Sequence, residues 1–288
     1  MLCCFDPDMV HAVNEYRTLE GDLRRALDDG DELEVHFQPK FSCESLAIVG
    51  FEALARWHHP TRGYVSPATF IRIAEACGLI DRLGLWIAEK ACATAVRWQP
   101  PLHVAVNVSL LQLRDGTLPH EIANILARTG LRPELLEIEV TESVMAEDNQ
   151  SVLKTLGALK NMGISIALDD FGTGYSSLGY LRRFSFDKIK IDKSFVHGQA
   201  HDRGVRVILE AVLSMCRKLG LAIVGEGVET EQQMALLRQL GCTELQGYLL
   251  GRPIPASEVE ELLRDKVPAT GQRPAMAASV KTGYELAT

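Results

Sequence analysis

The sequence has no apolar run approaching the roughly 18 residues that a membrane span needs, and its N-terminus lacks the apolar stretch of a secretory signal. Direct membrane insertion and export by that route are therefore not expected. There is also no C-x-x-C pair. The seven cysteines, Cys3, Cys4, Cys43, Cys77, Cys92, Cys216 and Cys242, are odd in number and scattered, which argues against a disulfide framework or a cysteine zinc site. They read as reduced cytoplasmic thiols. Positive charge is in deficit: 30 Lys and Arg against 38 Asp and Glu leave a net −8. That balance argues against a surface for duplex DNA or RNA, although a small anion can still be gripped by metal ions and a few cations.

What is present is a long series of short apolar runs, each ending on an oxygen-bearing or charged residue. Val49-Gly50-Phe51 ends on Glu52, Val104-Ala105-Val106 on Asn107, Ile138 on Glu139, Ile166-Ala167-Leu168 on Asp169, Ile189 on Lys190 and Ile223-Val224-Gly225 on Glu226. Strands buried on both faces read as apolar runs, and in a (β/α)8 barrel their C-terminal ends converge on one mouth. A length of 288 residues suits one such barrel of about 250 residues with extensions. The fold class is accordingly α/β, a TIM-like (β/α)8 barrel.

Met9, Val13, Tyr16, Leu19, Leu23 and Leu27 recur at three- and four-residue intervals, so residues 1–30 carry an amphipathic helix. It either caps the underside of the barrel or connects to an upstream domain. Residues 31–265 form the barrel, with strands at about 33–38, 47–54, 103–107, 135–140, 164–169, 187–191, 222–226 and 244–249. Only about eight residues separate the first two, too few for a helical crossover. They should pair as an antiparallel hairpin, leaving one strand antiparallel to the rest. Residues 266–288, rich in Ala, Thr, Gly and Pro without periodicity, read as a disordered tail.

Glu52, Glu139, Asp169, Asp170 and Glu226 would bring five negative charges to one mouth, and packed carboxylates cannot all stay ionised without compensation. Two divalent cations and Lys190 supply that compensation, since −5 + 4 + 1 is zero. The candidate donors are all oxygens, which favours Mg²⁺ or Mn²⁺ over softer metals. Asp169 suits a bridging position, and Asp170, displaced by the turn, a single ion. Two such ions clamp the attacking and leaving oxygens of an in-line phosphoryl displacement, so phosphodiester hydrolysis is the expected reaction class. Lys190 should be protonated, positioning the nucleophilic water or steadying the phosphorane; a general base would need a strongly lowered pKa.

Side chains two apart on a strand share a face, so Glu52, Leu54 and Arg56 point into the mouth together. Arg56 is then placed to hold a phosphate. Asp170 to Ser177 reads as a glycine loop leading into a helix that Ser176 caps. His58-His59 looks like a metal pair, but neighbours on a loop rarely ligate one ion, and a turn follows at Arg62-Gly63.

Phe37-Gln38-Pro39, Glu52 to Trp57, Asn107-Val108-Ser109, Glu139 to Glu142, Asp169 to Leu178, Lys188 to Asp192, Glu226 to Thr230 and Gln246-Gly247-Tyr248 occur in that order. Together they resemble the EAL family of cyclic-di-GMP phosphodiesterases, from about Leu23 to Leu263. The resemblance implies that Glu52, Asn107, Glu139 and Asp169 hold one metal, and that Asp169, Asp170 and Glu226 serve the second. It further implies that Lys190 contacts the catalytic water and that Glu142 holds the Asp170–Ser177 loop. Gln38, Leu54, Arg56, Gln246 and Glu229 would line the ligand site. Such enzymes cut cyclic-di-GMP once, to linear 5′-pGpG, and are typically homodimers whose interface adjoins that loop. Here Leu178, Tyr180 and Leu181 of an expected helix, Ser176–Arg183, would supply the contact. The first helix resembles the connector that follows a GGDEF domain, so a longer parent with an upstream GGDEF or sensor domain is implied. Gly225 departs from the family's usual alanine and adds backbone freedom beside Glu226. A receptor that binds the dinucleotide without cutting it is the alternative function.

Overall fold

Alternation along each strand builds the barrel. In the strand ending at Thr141, Glu137 and Glu139 face inward while Leu136, Ile138 and Val140 face the surrounding helices, and all five are buried. The computed structural model describes residues 7–29, 31–146, 150–171, 184–198 and 203–266. Its strands are β1 (Leu33–Ser42), β2 (Ile48–His59), β3 (Gly63–Val65), β4 (His103–Asn107), β5 (Leu136–Thr141), β6 (Ser165–Phe171), β7 (Lys188–Ile191), β8 (Ala222–Gly225), β9 (Glu244–Leu245) and β10 (Ile254–Pro255). Eight of them run β1-β9-β8-β7-β6-β5-β4-β2, and β2 pairs back with β1 to close the ring. The other two are short ribbons, β3 on β2 and β10 on β1.

The antiparallel strand is where the short connection places it. Residues 43–47 alone link β1 to β2, and β1 is antiparallel to both of its barrel neighbours, β2 and β9. The remaining seven are mutually parallel, with helices in each connection except that from β6 to β7, most of which lies outside the described residues. The principal core, between barrel and helices, contains Phe37, Phe51 and Trp98, whose rings pack edge-on or tilted with centroids 4.8–5.6 Å apart.

The first helix, Pro7–Asp29, buries Leu19, Leu23 and Ala26 in a second core with Ala55, Trp57, Phe70 and Leu83. It lies beside the outer end of β2, where Asp22 meets His59 at 3.0 Å, and not beneath the barrel. The reason is the reversed β1. That strand enters from the mouth, so a helix ending at Asp29 must deliver the chain at the mouth end. The helices between strands carry no apolar span either: among the described residues none is long and apolar enough to cross a membrane.

Several strand ends differ from the sequence expectation, and β1 and β2 run on to Ser42 and His59. The last barrel strand stops at Leu245 because the chain turns at Gly247, whose carbonyl accepts from the N–H groups of Leu250 and Gly251. A Cβ at Gly247 would lie 2.1 Å from the Val228 nitrogen, so only glycine allows this approach of two backbones. Strand β6 instead continues past Asp169 to Phe171 through a register shift against β7, with Asp170 at φ 54°. A left-handed aspartate at a strand end re-aims the side chain that follows Asp169.

Candidate active site

The barrel brings the predicted residues to one mouth. Glu52 lies on the inward face of β2, Asn107 ends β4, Glu139 lies on β5, Asp169 on β6 and Lys190 on β7, while Glu226 follows β8 directly. The Lys190 ammonium sits among four carboxylates, 2.6 Å from Glu139 Oε2, 2.8 Å from Glu226 Oε1, 2.9 Å from Asp169 Oδ2 and 3.7 Å from Glu52 Oε2. Glu52 is held at both oxygens. Asn107 Nδ2 donates to one and Gln246 Nε2 to the other, each at 2.7 Å.

Charge is the controlling feature of this mouth. Burial works against the Lys190 charge, but Glu139, Glu226, Glu52 and Asp169 outweigh it and hold its pKa well above the usual lysine range. Lys190 is therefore an ammonium and not a free base. One cation cannot satisfy so many carboxylates. Burial, aided by Glu52 and Asp169 and opposed by Lys190, pushes Glu139 up to about 8. Glu226, buried and likewise facing Lys190, Asp169 and Glu52, is pushed up to about 7. At Glu52 burial is overcome by Lys190 and the Gln246 and Asn107 hydrogen bonds, and the pKa falls below the ordinary glutamate value. Asp170 is raised by burial and by Asp169. This all-oxygen donor set with surplus negative charge fits a hard divalent cation.

A second charged layer lies beneath, two residues back along the strands, and sequence reasoning missed it. Lys40 of β1 is buried, with its ammonium 2.5 Å from Glu137 Oε1 and 3.3 Å from Glu139 Oε1, and so touches both layers. Lys188 meets Glu137 Oε2 and Glu244 Oε1, each at 2.8 Å. Lys40, Lys188, Glu137 and Glu244 balance in charge. Removing one partner of a buried pair leaves the other uncompensated, so Lys40→Met should cost about 3–5 kcal/mol in denaturant unfolding. A loss below about 1 kcal/mol, on the scale of an exposed pair, would contradict this account of the layer.

The ligand-lining expectations divide between two cavities. Gln38, Leu54, Gln246 and Glu229 border one of about 270 Å³ together with Glu52, Asp169, Lys190 and Glu226. Lys193 and Tyr248 join them there. Arg56 borders a larger cavity of about 550 Å³ with Asn107, Ser109 and again Leu54, and its Nη1 donates to the Ala55 carbonyl at 2.9 Å. Gln38 accepts from Gln246 Nε2 and donates to the Gly251 carbonyl, both at 3.2 Å, while the Gln246 side-chain oxygen Oε1 has no partner among the described residues. The Glu229 side chain does not cap the next helix, because Thr230 and Gln233 form that capping box.

Glu142 is buried, and its N–H donates to the Asp169 carbonyl at 3.0 Å. The rest of the loop expected to depend on it, 172–177, and the expected helix 176–183 lie outside the described residues, as does 267–288 of the tail. Gly225 needs no special backbone freedom, since its φ is not positive. A Cβ there would meet Leu237 Cδ1 at 2.6 Å, so Leu237 fills the space.

Comparison with known proteins agrees with this geometry. The family described as EAL domain matches residues 20–253. An uncharacterized signaling protein of Caulobacter vibrioides is 49% identical over 252 residues, which are 87% of this chain and 31% of that protein. The cyclic di-GMP phosphodiesterase NbdA of Pseudomonas aeruginosa is 41% identical over 260 residues, 89% of this chain and 33% of its own length. A solved structure described as the PaMucR phosphodiesterase in complex with c-di-GMP superposes with a TM-score of 0.80 at 43% identity, covering 84% of this chain and 99% of that one. The chain spans about a third of the length of the curated relatives named here.

Proposed function

The chain belongs to the EAL domain family, and from that membership and the geometry of the mouth we propose that it is a metal-dependent phosphodiesterase hydrolysing cyclic-di-GMP to linear 5′-pGpG. The observation that carries this reading is the ring of Glu52, Glu139, Asp169 and Glu226 around a single buried ammonium. Glu52, Asn107, Glu139 and Asp169 would hold one divalent cation, and Asp169, Asp170 and Glu226 a second. Bound there, Mg²⁺ or Mn²⁺ would polarise the phosphodiester and lower the pKa of a bound water.

The chain's own groups supply orientation. Lys190, fixed as an ammonium, donates hydrogen bonds and steadies negative charge on the attacking water or the phosphorane. Asn107 and Gln246 fix both oxygens of Glu52, so its direction is set before any ligand arrives. Gln38, Leu54, Gln246 and Glu229 would line one part of the dinucleotide site, and Arg56 would meet a phosphate or base beyond it. Glu142, bonded through its backbone to Asp169, would hold the following loop in its working position.

Residues 31–265 would be the catalytic barrel, 1–30 a connector from an upstream GGDEF or sensor domain, and 266–288 a tail. Two copies would associate through the segment after Asp170, and the enzyme would act in the cytoplasm, a setting in keeping with the free thiols of Cys43, Cys77, Cys92, Cys216 and Cys242. Chromatography after incubation of the purified chain with cyclic-di-GMP and Mg²⁺ tests the reading. Linear pGpG should be the product. A retained but intact dinucleotide would make the chain a receptor.

A further inference from the structure

His58 and His59 are adjacent in sequence yet face opposite ways, because consecutive strand residues alternate. His59 is buried and fully engaged: its Nε2 meets Asp22 Oδ2 at 3.0 Å, and its Nδ1 accepts from the N–H groups of Thr61 and Arg62, each at 3.2 Å. His58 is exposed on the other face of β2. That face is shared by Leu54 and Arg56, and across the β1–β2 pairing Glu34 lies opposite Arg56 and His36 opposite Leu54. The metal pair suggested by sequence adjacency is thus split. One of its members joins two residues that are distant in sequence.

Glu34, His36 and His58 present one ligand atom each, all within 4.8 Å of one another, and His36 Nε2 lies 3.3 Å from Glu34 Oε2. Two donors on one small ion, each bonded at about 2.0–2.2 Å, lie no more than roughly 4.4 Å apart. Glu34 and His58 are exposed, so modest side-chain rotations close the gap. Arg56 stands beside the cluster, so charge alone does not build a cation site. Its basis is two imidazoles and a carboxylate from adjacent strands.

We infer that Glu34, His36 and His58 form a second metal site on the rim of the mouth, for a borderline transition ion such as Zn²⁺ or Co²⁺. Its chemistry separates it from the carboxylates below. Imidazole suits Zn²⁺ and its neighbours, whereas the all-oxygen set at Lys190 suits Mg²⁺ or Mn²⁺. With three protein ligands, the remaining coordination positions stay open to water or to an anionic group entering the mouth. The ion would also join β1 to β2 beside Leu54 and Arg56.

Binding, not turnover, is the readout, so the outcome is independent of the proposed phosphodiesterase activity. Co²⁺ is titrated into the purified chain in excess Mg²⁺, following the visible absorption of the bound ion. The background is Cys3→Ser/Cys4→Ser, which removes the adjacent thiols. One equivalent should bind and be displaced by Zn²⁺. His58→Ala and Glu34→Gln should each weaken binding by at least about tenfold, the lower bound for losing even an outer-shell partner. Both replace exposed side chains, so unchanged melting curves will show that folding is intact. No saturable uptake, or uptake that both variants retain, overturns the proposal.

Discussion

Glu52→Gln is expected to reduce cyclic-di-GMP turnover by more than about a hundredfold, the upper end for losing a mere outer-shell partner of a metal. The substitution keeps shape and volume but removes a charge and replaces an acceptor with a donor. Glu52 now accepts from Asn107 and Gln246 through its two oxygens. An amide can accept from only one of them, so an N–H will confront another N–H. That mismatch costs about 1–3 kcal/mol, or a fall of several degrees in melting temperature for a domain of this size. The barrel therefore survives while turnover does not. Activity within tenfold of wild type would remove Glu52 from the reacting centre.

Lys190→Met should be comparably severe, for a different reason. The ammonium is the only cation within 4.0 Å of Glu226 or Asp169 among the described residues. Glu139 and Glu226 already hold protons more tightly than an ordinary glutamate, at about 8 and about 7. Without Lys190 both are raised further, and stability is partly recovered by protonation. Catalysis is not recovered in the same way. A group that donates to the attacking water or the phosphorane contributes about 10²–10³ in rate, and extra Mg²⁺ cannot replace a directed N–H. Turnover measured across a Mg²⁺ series should stay at least about a hundredfold low. Restoration to within tenfold by high Mg²⁺ would reduce Lys190 to charge compensation.

The upper layer of the site was legible because each of its members ends an apolar run, and strand ends in a parallel barrel share one mouth. The reversed β1 was legible from loop length alone. The lower layer was not, since Lys40 and Glu137 are 97 residues apart and meet only after β1 closes the ring. Periodicity gives the first helix a face but no destination, which follows instead from the direction of β1. The turn at Arg62-Gly63 makes His58-His59 read as loop, whereas β2 runs on to His59 and alternation sends the two side chains to opposite faces. The short β9 reflects a tertiary contact, Gly247 against the Val228 backbone.

The most direct test is the rate of cyclic-di-GMP consumption by the purified chain after exhaustive chelation, followed by addition of Mg²⁺ or Mn²⁺. The account predicts no turnover without metal, because one ammonium cannot activate water among uncompensated carboxylates, and recovery when either ion is added. Undiminished hydrolysis after chelation, or none after both ions are restored, would contradict it.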